Sequence, residues 1–105
     1  MPEKPSYFDV SYAIPSNRLT VGLNVVATAT ADYIGIAISA SAAAAKVLVY
    51  DNASGTTGAF LDVVLVAATD CQRPDRMFVV RAKNGITVDV QGAGVVATVF
   101  YTPKG

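Results

Sequence analysis

Apolar and polar residues alternate with a period of two along most of this chain, which is the pattern of half-buried β-strands. The clearest region is Lys46–Val66, where the β-branched and aromatic run Val47–Tyr50 suits a pleated surface. The polar stretch Asp51–Gly58 then supplies turn-forming side chains and glycines, and Phe60–Val66 is apolar again. We predict a strand, a long loop and a second strand. The eight loop residues exceed a tight hairpin, so pairing of the two strands and crossing between two sheets are both open.

Two further strands are predicted before this region. From Arg18 to Thr30 the apolar and alanine residues fall mainly on odd-numbered positions, and in Tyr33–Ser39 isoleucine alternates with small residues. Ala31–Asp32 marks the expected break between them. Only two charged residues lie between Arg18 and Asp51, so this third of the chain is the best candidate for the core and a subunit interface.

The C-terminal third predicts three more strands, at Met77–Ala82, Ile86–Gln91 and Val95–Tyr101. Lys83–Gly85 contains Asn-Gly, the pair favoured by a type I′ hairpin turn, and Gly92–Gly94 predicts another turn. The last strand is apolar on both faces, which indicates either a central position in a sheet or a place in an interface.

The turns and strands together predict an all-β fold. The Ala-rich segment Ser39–Ala45 is short for a helix, and a single helical turn and a strand of small residues are both open there. About seven or eight short strands predict a single-domain β-sandwich, jelly-roll-like in type, or a small closed barrel. The 105 residues suffice for one hydrophobic core.

Residues 1–17 differ from the remainder, and we expect an extended N-terminal arm or an edge strand beside a β-sandwich domain of residues 18–105. Pro2, Pro5 and Pro15 disfavour a helix in this segment. An apolar and aromatic face alternates with small and polar residues, so the segment either lies on a neighbouring subunit or completes the domain's own sheet. The candidate contacts with a shell or another subunit are Tyr7, Phe8, Val10, Tyr12 and Ile14.

The composition favours a protein that docks on others. Hydrophobic residues make up 52% of the chain and charged residues 15%, whereas an average soluble chain has about 25% charged residues. We therefore expect self-association or docking on another chain. The formal net charge is zero and no basic run is present, which disfavours nucleic acid as a partner. The N-terminus has no apolar leader and no run reaches the ~18 apolar residues of a span, so we expect no signal peptide and no membrane partner.

The residues offer little for catalysis, and we expect no enzyme and no cofactor. The chain lacks histidine, the commonest general base and a common zinc ligand, and its single cysteine, Cys71, excludes an intrachain disulfide. The aspartates are spread along the chain, with no spacing that dictates a catalytic pair. Asp51–Asn52 offers oxygen ligands for calcium but does not match an EF-hand loop, so no metal site is predicted.

The densest charge cluster is Asp70–Arg76, where Pro74 excludes a central strand. We expect a solvated loop whose charged side chains face a partner. The candidate partner-facing residues are Asp70, Arg73, Asp75 and Arg76.

Two segments carry turn residues in an order that is recurrent in one group of small β-proteins. Lys46–Ser54 is a strand ending in Tyr-Asp-Asn, followed by a Ser/Gly loop; Lys83–Val88 carries an Asn-Gly-Ile turn, and the closing strand Ala97–Tyr101 ends in aromatic residues. Together they resemble small β-sandwich proteins encoded among the virion genes of tailed bacteriophages. The likeness covers roughly residues 30–101, and its motifs are turn residues on a β scaffold.

The resemblance implies a virion structural protein, synthesised in the host cytoplasm and located on the capsid surface. The expected role is that of a capsid decoration, or cement, protein that stabilises the head shell through apolar strand surfaces and an N-terminal arm. Its partners would be the major capsid protein and further copies of itself, as a homo-oligomer with a trimer as the first expectation. The alternative is a head-fibre or tail-associated recognition module that binds a receptor or a glycan.

Overall fold

Every regular element of this protein is a β-strand in the residues that the computed structural model describes, which are 13–74 and 79–104. The strands are β1 (Ile14–Pro15), β2 (Gly22–Ala27), β3 (Ala31–Ser39), β4 (Ala45–Tyr50), β5 (Phe60–Val66), β6 (Cys71–Gln72), β7 (Val80–Ala82), β8 (Ile86–Gln91) and β9 (Val96–Pro103). The prediction of an all-β fold is confirmed. The Ala-rich segment is a loop that leads directly into β4.

The strands form two antiparallel sheets that pack against each other as a β-sandwich. One sheet has the order β1-β9-β3, with β6 and β7 pairing at opposite ends of the far side of β3. The other sheet has the order β2-β8-β4-β5. No described strand belongs to both sheets, so the molecule is a sandwich and not a closed barrel.

The strand pairs are nested along the chain. β4 pairs with β5, β3 with β6 and β7, β2 with β8, and β1 with β9. A long hairpin rolled into two sheets in this way is a jelly roll, with β6 and β7 as one interrupted strand. Residues 51–59 form the tip of the hairpin, and the predicted strand, loop and strand of Lys46–Val66 pair in one sheet.

The core lies between the two sheets and is mainly aliphatic. Its members include Leu19, Ile36, Ile38, Val47, Val49, Ile86, Val88, Val90, Val95, Ala97 and Val99. β9 lies between β1 and β3, so of the two places expected for the last strand, a central position or an interface, the structure shows the central position. Alternation within β9 turns Ala97 and Val99 into the core and leaves their neighbours half-buried on the outside.

The predicted hairpin at Lys83–Gly85 is wrong, because these residues cross between the sheets. β7 pairs with β3 in one sheet, whereas β8 pairs with β2 and β4 in the other. A type I′ turn needs positive φ at both central residues, and Gly85 has one, at 144°, but Asn84 does not. The connection is held by Asp51, whose carboxylate accepts hydrogen bonds from the backbone N–H groups of Lys83 (3.2 Å) and Asn84 (2.8 Å).

Two predicted boundaries also differ from the structure. The break expected at Ala31–Asp32 falls before these residues, since both belong to β3 and Asp32 is paired with Arg81. The expected solvated loop Asp70–Arg76 contains the short strand β6, which adds to the edge of β3 before Pro74.

The C-terminal end of the expected N-terminal arm is an edge strand. β1 pairs with Phe100 and Tyr101 of β9, and the Ser16 N–H donates to the Val99 carbonyl at 2.7 Å. Ile14 is 42% exposed at this edge. The other predicted contacts of the segment lie outside the described residues and stay predictions: Tyr7, Phe8, Val10 and Tyr12.

Candidate interaction surface

The outer face of the four-stranded sheet is apolar and exposed. The strand register sets three rows across the sheet: Leu23, Asp89, Leu48 and Val63; Val25, Thr87, Tyr50 and Phe60; and Gln91, Lys46 and Leu65. We call the solvent-accessible apolar residues of these rows the outer face: Leu23, Val25, Leu48, Phe60, Val63 and Leu65. Leu65 is 72% exposed, the highest value among the large apolar side chains described.

Strand β2 turns its apolar side outward. Leu23 and Val25 are about half exposed, at 51% and 49%, whereas Asn24 between them points toward the inner side. The Asn24 side chain is satisfied there, because its Nδ2 donates to the carbonyls of Thr20 (2.8 Å) and Gly22 (3.0 Å). A strand that turns its polar residue in and its leucine and valine out indicates a surface that another molecule covers.

Three accessible polar groups interrupt the outer face. Lys46 and Gln91 are exposed in its end row, and Asp89 is half-buried in the middle row, its Oδ2 accepting a hydrogen bond from Gln91 Nε2 at 3.0 Å. Four strands about 4.8 Å apart, each with five or six residues rising about 3.3 Å, give this side of the sheet roughly 300–400 Å², with its polar positions included. Patches of this size on single proteins are often functional.

In the part of the chain that the structure describes, no tyrosine ring is exposed as a flat surface on which a sugar could stack. Tyr33 is fully buried, Tyr50 is 8% exposed and Tyr101 is half-buried. Phe60 is the exception, 57% exposed at one corner of the outer face. Its ring is tilted 36° against that of Tyr50, with centroids 5.0 Å apart, so Tyr50 holds Phe60 in position.

A second surface feature lies on the other sheet, where Arg18 and Arg73 line one groove of about 260 Å³. Small and hydroxyl side chains form its floor, with Ala37 opposite Thr98 and Ser39 in the next row. Neither guanidinium makes a hydrogen bond or an ion pair with any residue that the structure describes. Two cations that have no partner among the described residues and line one groove attract an anionic group.

The structure brings only part of the predicted partner-facing loop to this groove. Arg73 is exposed and lines it, whereas Asp70 is exposed but turned back, its Oδ1 accepting a hydrogen bond from the Cys71 N–H at 2.8 Å. Asp75 and Arg76 lie outside the described residues. Pro74 packs directly on Gly35 of β3, where a Cβ would come within 2.8 Å of the proline Cβ.

Two aspartates that could carry chemistry, Asp32 and Asp51, are engaged in structural contacts. Burial raises the pKa of the Asp32 carboxyl, but hydrogen bonds and charge from Arg81 and Lys104 outweigh it and hold that pKa below its ordinary value. Asp51, considered for calcium, is engaged by two backbone amides. The described residues contain no group of three or more acidic or cysteine side chains placed to hold a metal ion. They also contain no apolar helix long enough to cross a membrane.

The outer face was not singled out from the sequence. Its signal was the run Phe60–Val66, which is apolar at both parities apart from Asp62. A strand buried on both sides has the same pattern, so only the strand order shows that β5 is an edge strand with one face open.

No protein-family model, no curated protein and no solved structure matches this chain.

Proposed function

We propose that this chain is a bacteriophage virion structural protein, a capsid decoration protein that seats its outer face on the head shell and associates with further copies of itself. The observation that carries the proposal is the outer face, where side chains such as Leu65 and Phe60 are left in water. Leaving them exposed forgoes roughly 1.5–3 kcal/mol for each large side chain that a partner would bury.

Two further features support the proposal. The jelly roll is an architecture found in viral capsid domains, an argument by fold analogy. The two segments that resemble phage virion proteins also meet in space, because Asp51 of the first accepts hydrogen bonds from Lys83 and Asn84 of the second. The two motifs that carry the resemblance are therefore hydrogen-bonded to each other in the folded protein.

Binding to expanded shells of the major capsid protein tests the proposal. We expect the double variant Leu23→Glu, Val25→Glu to lower the amount that cosediments with shells at least about tenfold, because charges would be buried against the shell. The matched control is Val79→Glu, which changes an exposed valine outside the outer face. Equal binding of both variants, with both folded, would contradict docking through this face.

The N-terminal arm is tested separately by deleting residues 2–12, which leaves β1 and its pairs with β9 in place. We expect the shortened chain to keep its unfolding transition and to bind shells more weakly. Unchanged shell binding would remove the arm from the proposal without affecting the outer face.

The groove of Arg18 and Arg73 favours a second candidate function, recognition of an acidic glycan on a host receptor. Carboxylates pair with guanidinium groups in bidentate geometry, and hydroxyls such as that of Thr98 can contact sugar oxygens. Lectin domains also use the jelly roll.

A glycan array with the purified domain tests this second candidate. We expect binding of carboxylated glycans, lost in Arg73→Ala and retained in Arg81→Ala, since Arg81 is paired with Asp32 away from the groove. No binding to any acidic glycan would exclude this role.

A further inference from the structure

We infer that two copies of this chain pair antiparallel through the edges of their β5 strands, Val63 of one copy opposite Leu65 of the other, to form one continuous eight-stranded sheet. The inference deepens the proposed function, on which it rests for self-association, and it names the contact and the partner.

The described sheet edges differ in how they are protected against such pairing. The β9 edge is covered by residues 14–19, where Ser16 and Leu19 bond to Val99 and Ala97. Among the described residues, the far edge of β3 carries the two short strands β6 and β7. Short strands and covering segments are the usual means of blunting an edge.

The two edges of the four-stranded sheet are also unlike each other. On β2 the Asn24 side chain folds back onto the backbone carbonyls of Thr20 and Gly22, and the register is irregular between Val25 and Ala27. Both features work against the addition of another strand.

The β5 edge has such protection only at its start. The register irregularity lies opposite Tyr50, and Asp62 Oδ1 accepts a hydrogen bond from the Val63 N–H at 3.0 Å. From Val63 to Val66 there is no charge, proline, glycine or irregularity, and no side chain among residues 13–74 and 79–104 bonds to the backbone of Val64, Leu65 or Val66. A bare apolar edge of this kind is a template for pairing with another strand.

A second copy fits this edge because the strand is self-complementary, and pairing replaces the hydrogen bond from the Val63 N–H to Asp62 Oδ1 with one to the partner strand. A two-fold axis perpendicular to the sheet keeps both outer faces on the same side, which requires paired residues to share a face. Centring the axis on Val64 places Val63 opposite Leu65 twice and Asp62 opposite Val66, so no like charges meet. Each Val–Leu pair joins two exposed side chains of the outer face.

Pairing also doubles the area that the outer face can offer to a shell. One copy offers roughly 300–400 Å², less than the ~800 Å² that each partner contributes to a standard interface. Two copies joined at β5 offer roughly 600–800 Å² as one platform. Such a contact closes at two copies, so it predicts a dimer where the sequence suggested a trimer.

The solution mass tests the contact without any shell. We expect the full chain to run as a dimer of its 10.9 kDa subunit. Leu65→Lys should raise the dimer dissociation constant at least about tenfold, since it removes both Val–Leu pairs. The matched control Leu23→Lys changes an exposed leucine on the same face at the opposite edge and should leave the dimer intact.

Disulfide trapping tests the register. With Cys71→Ser as background, Val63→Cys with Leu65→Cys should form a covalent dimer on mild oxidation, because directly opposite residues lie within disulfide range. Leu23→Cys in the same background should not.

A monomer, a trimer without the cross-link, or equal effects of Leu65→Lys and Leu23→Lys would overturn the pairing. A monomer that still binds shells would leave the proposed function standing. A cross-linked dimer that ignores shells would keep the pairing and remove the decoration role.

Discussion

The hydroxyl of Tyr33 donates a hydrogen bond to Asp62 Oδ2 at 2.8 Å, joining β3 of one sheet to β5 of the other. Tyr33 is fully buried, so its hydroxyl depends on partners inside the protein. The bond also holds the carboxylate that covers the start of the β5 edge.

Tyr33→Phe should therefore lower the free energy of unfolding by about 1–3 kcal/mol, the cost of removing a hydrogen bond to a charged group. Urea denaturation measures this difference. The matched control is Tyr101→Phe, because the Tyr101 hydroxyl makes no hydrogen bond to the described residues. Equal losses in both variants would contradict a specific contribution of the bond between the sheets.

Removing the Asp51 carboxylate should destabilise the crossing between the sheets. Asp51→Ala leaves the N–H groups of Lys83 and Asn84 without their acceptor, and we expect a loss of about 1.5–3 kcal/mol. Asp51→Asn keeps one acceptor oxygen and should recover part of this. Thermal unfolding followed by circular dichroism measures both variants. No difference between the alanine and asparagine variants would contradict the assigned role.

Gly85 should tolerate no side chain, whereas Gly55 should accept one. A Cβ on Gly85 would overlap the carbonyl oxygen of Ala27 and lie 3.0 Å from the Cα of Ala53, at a φ of 144° that L residues rarely adopt. We expect Gly85→Ala to cost at least about 2 kcal/mol. At Gly55 the nearest atom would be Asn52 Oδ1 at 3.7 Å, so Gly55→Ala should change stability by less than about 0.5 kcal/mol. Chemical denaturation of the pair checks the contrast.

Asp32 should make stability fall in acid. Its carboxyl pKa in the folded protein lies below the ordinary 3.8, since Arg81 and Lys104 outweigh the effect of burial. The stabilisation is therefore present above pH 3.8 and is lost as pH falls through the lower folded value. Arg81 is 55% exposed, so the effect should be at most about 1 kcal/mol. Urea midpoints of the wild type between about pH 5 and pH 2 should fall more steeply than those of Arg81→Gln. The charge-matched control Lys46→Gln should keep the wild-type slope.

The sequence was sufficient for the fold class and for the strand, loop and strand around Asp51, because alternation of apolar residues and turn chemistry are local signals. The crossing at Lys83–Gly85 was not predictable, since the Asn-Gly pair suits a hairpin and only a carboxylate 32 residues away decides otherwise. The outward side of β2 was hidden for a related reason. Leu23 and Val25 alternate as core residues do, and their exposure depends on which strands become neighbours.

The predicted partner-facing residues show the same limit. Arg73 reached the groove, but its companion there, Arg18, lies 55 residues earlier in the chain and was not selected. The cluster of charged residues in the sequence was enough to identify Arg73 on one side of the groove. Arg18 lies on the other side because the neighbouring residue Leu19 pairs with Ala97 of β9, and the sequence alone does not show this pairing.

The nested topology has a consequence for biosynthesis. The two strands that come latest in the fold, β8 and β9, are inserted between β2 and β4 and between β1 and β3. Neither sheet can therefore be completed before residues 86–103 have been synthesised, and a chain that stops before residue 86 would expose apolar strands without their central neighbours. Truncation before residue 86 should thus yield an aggregating chain instead of a smaller folded domain.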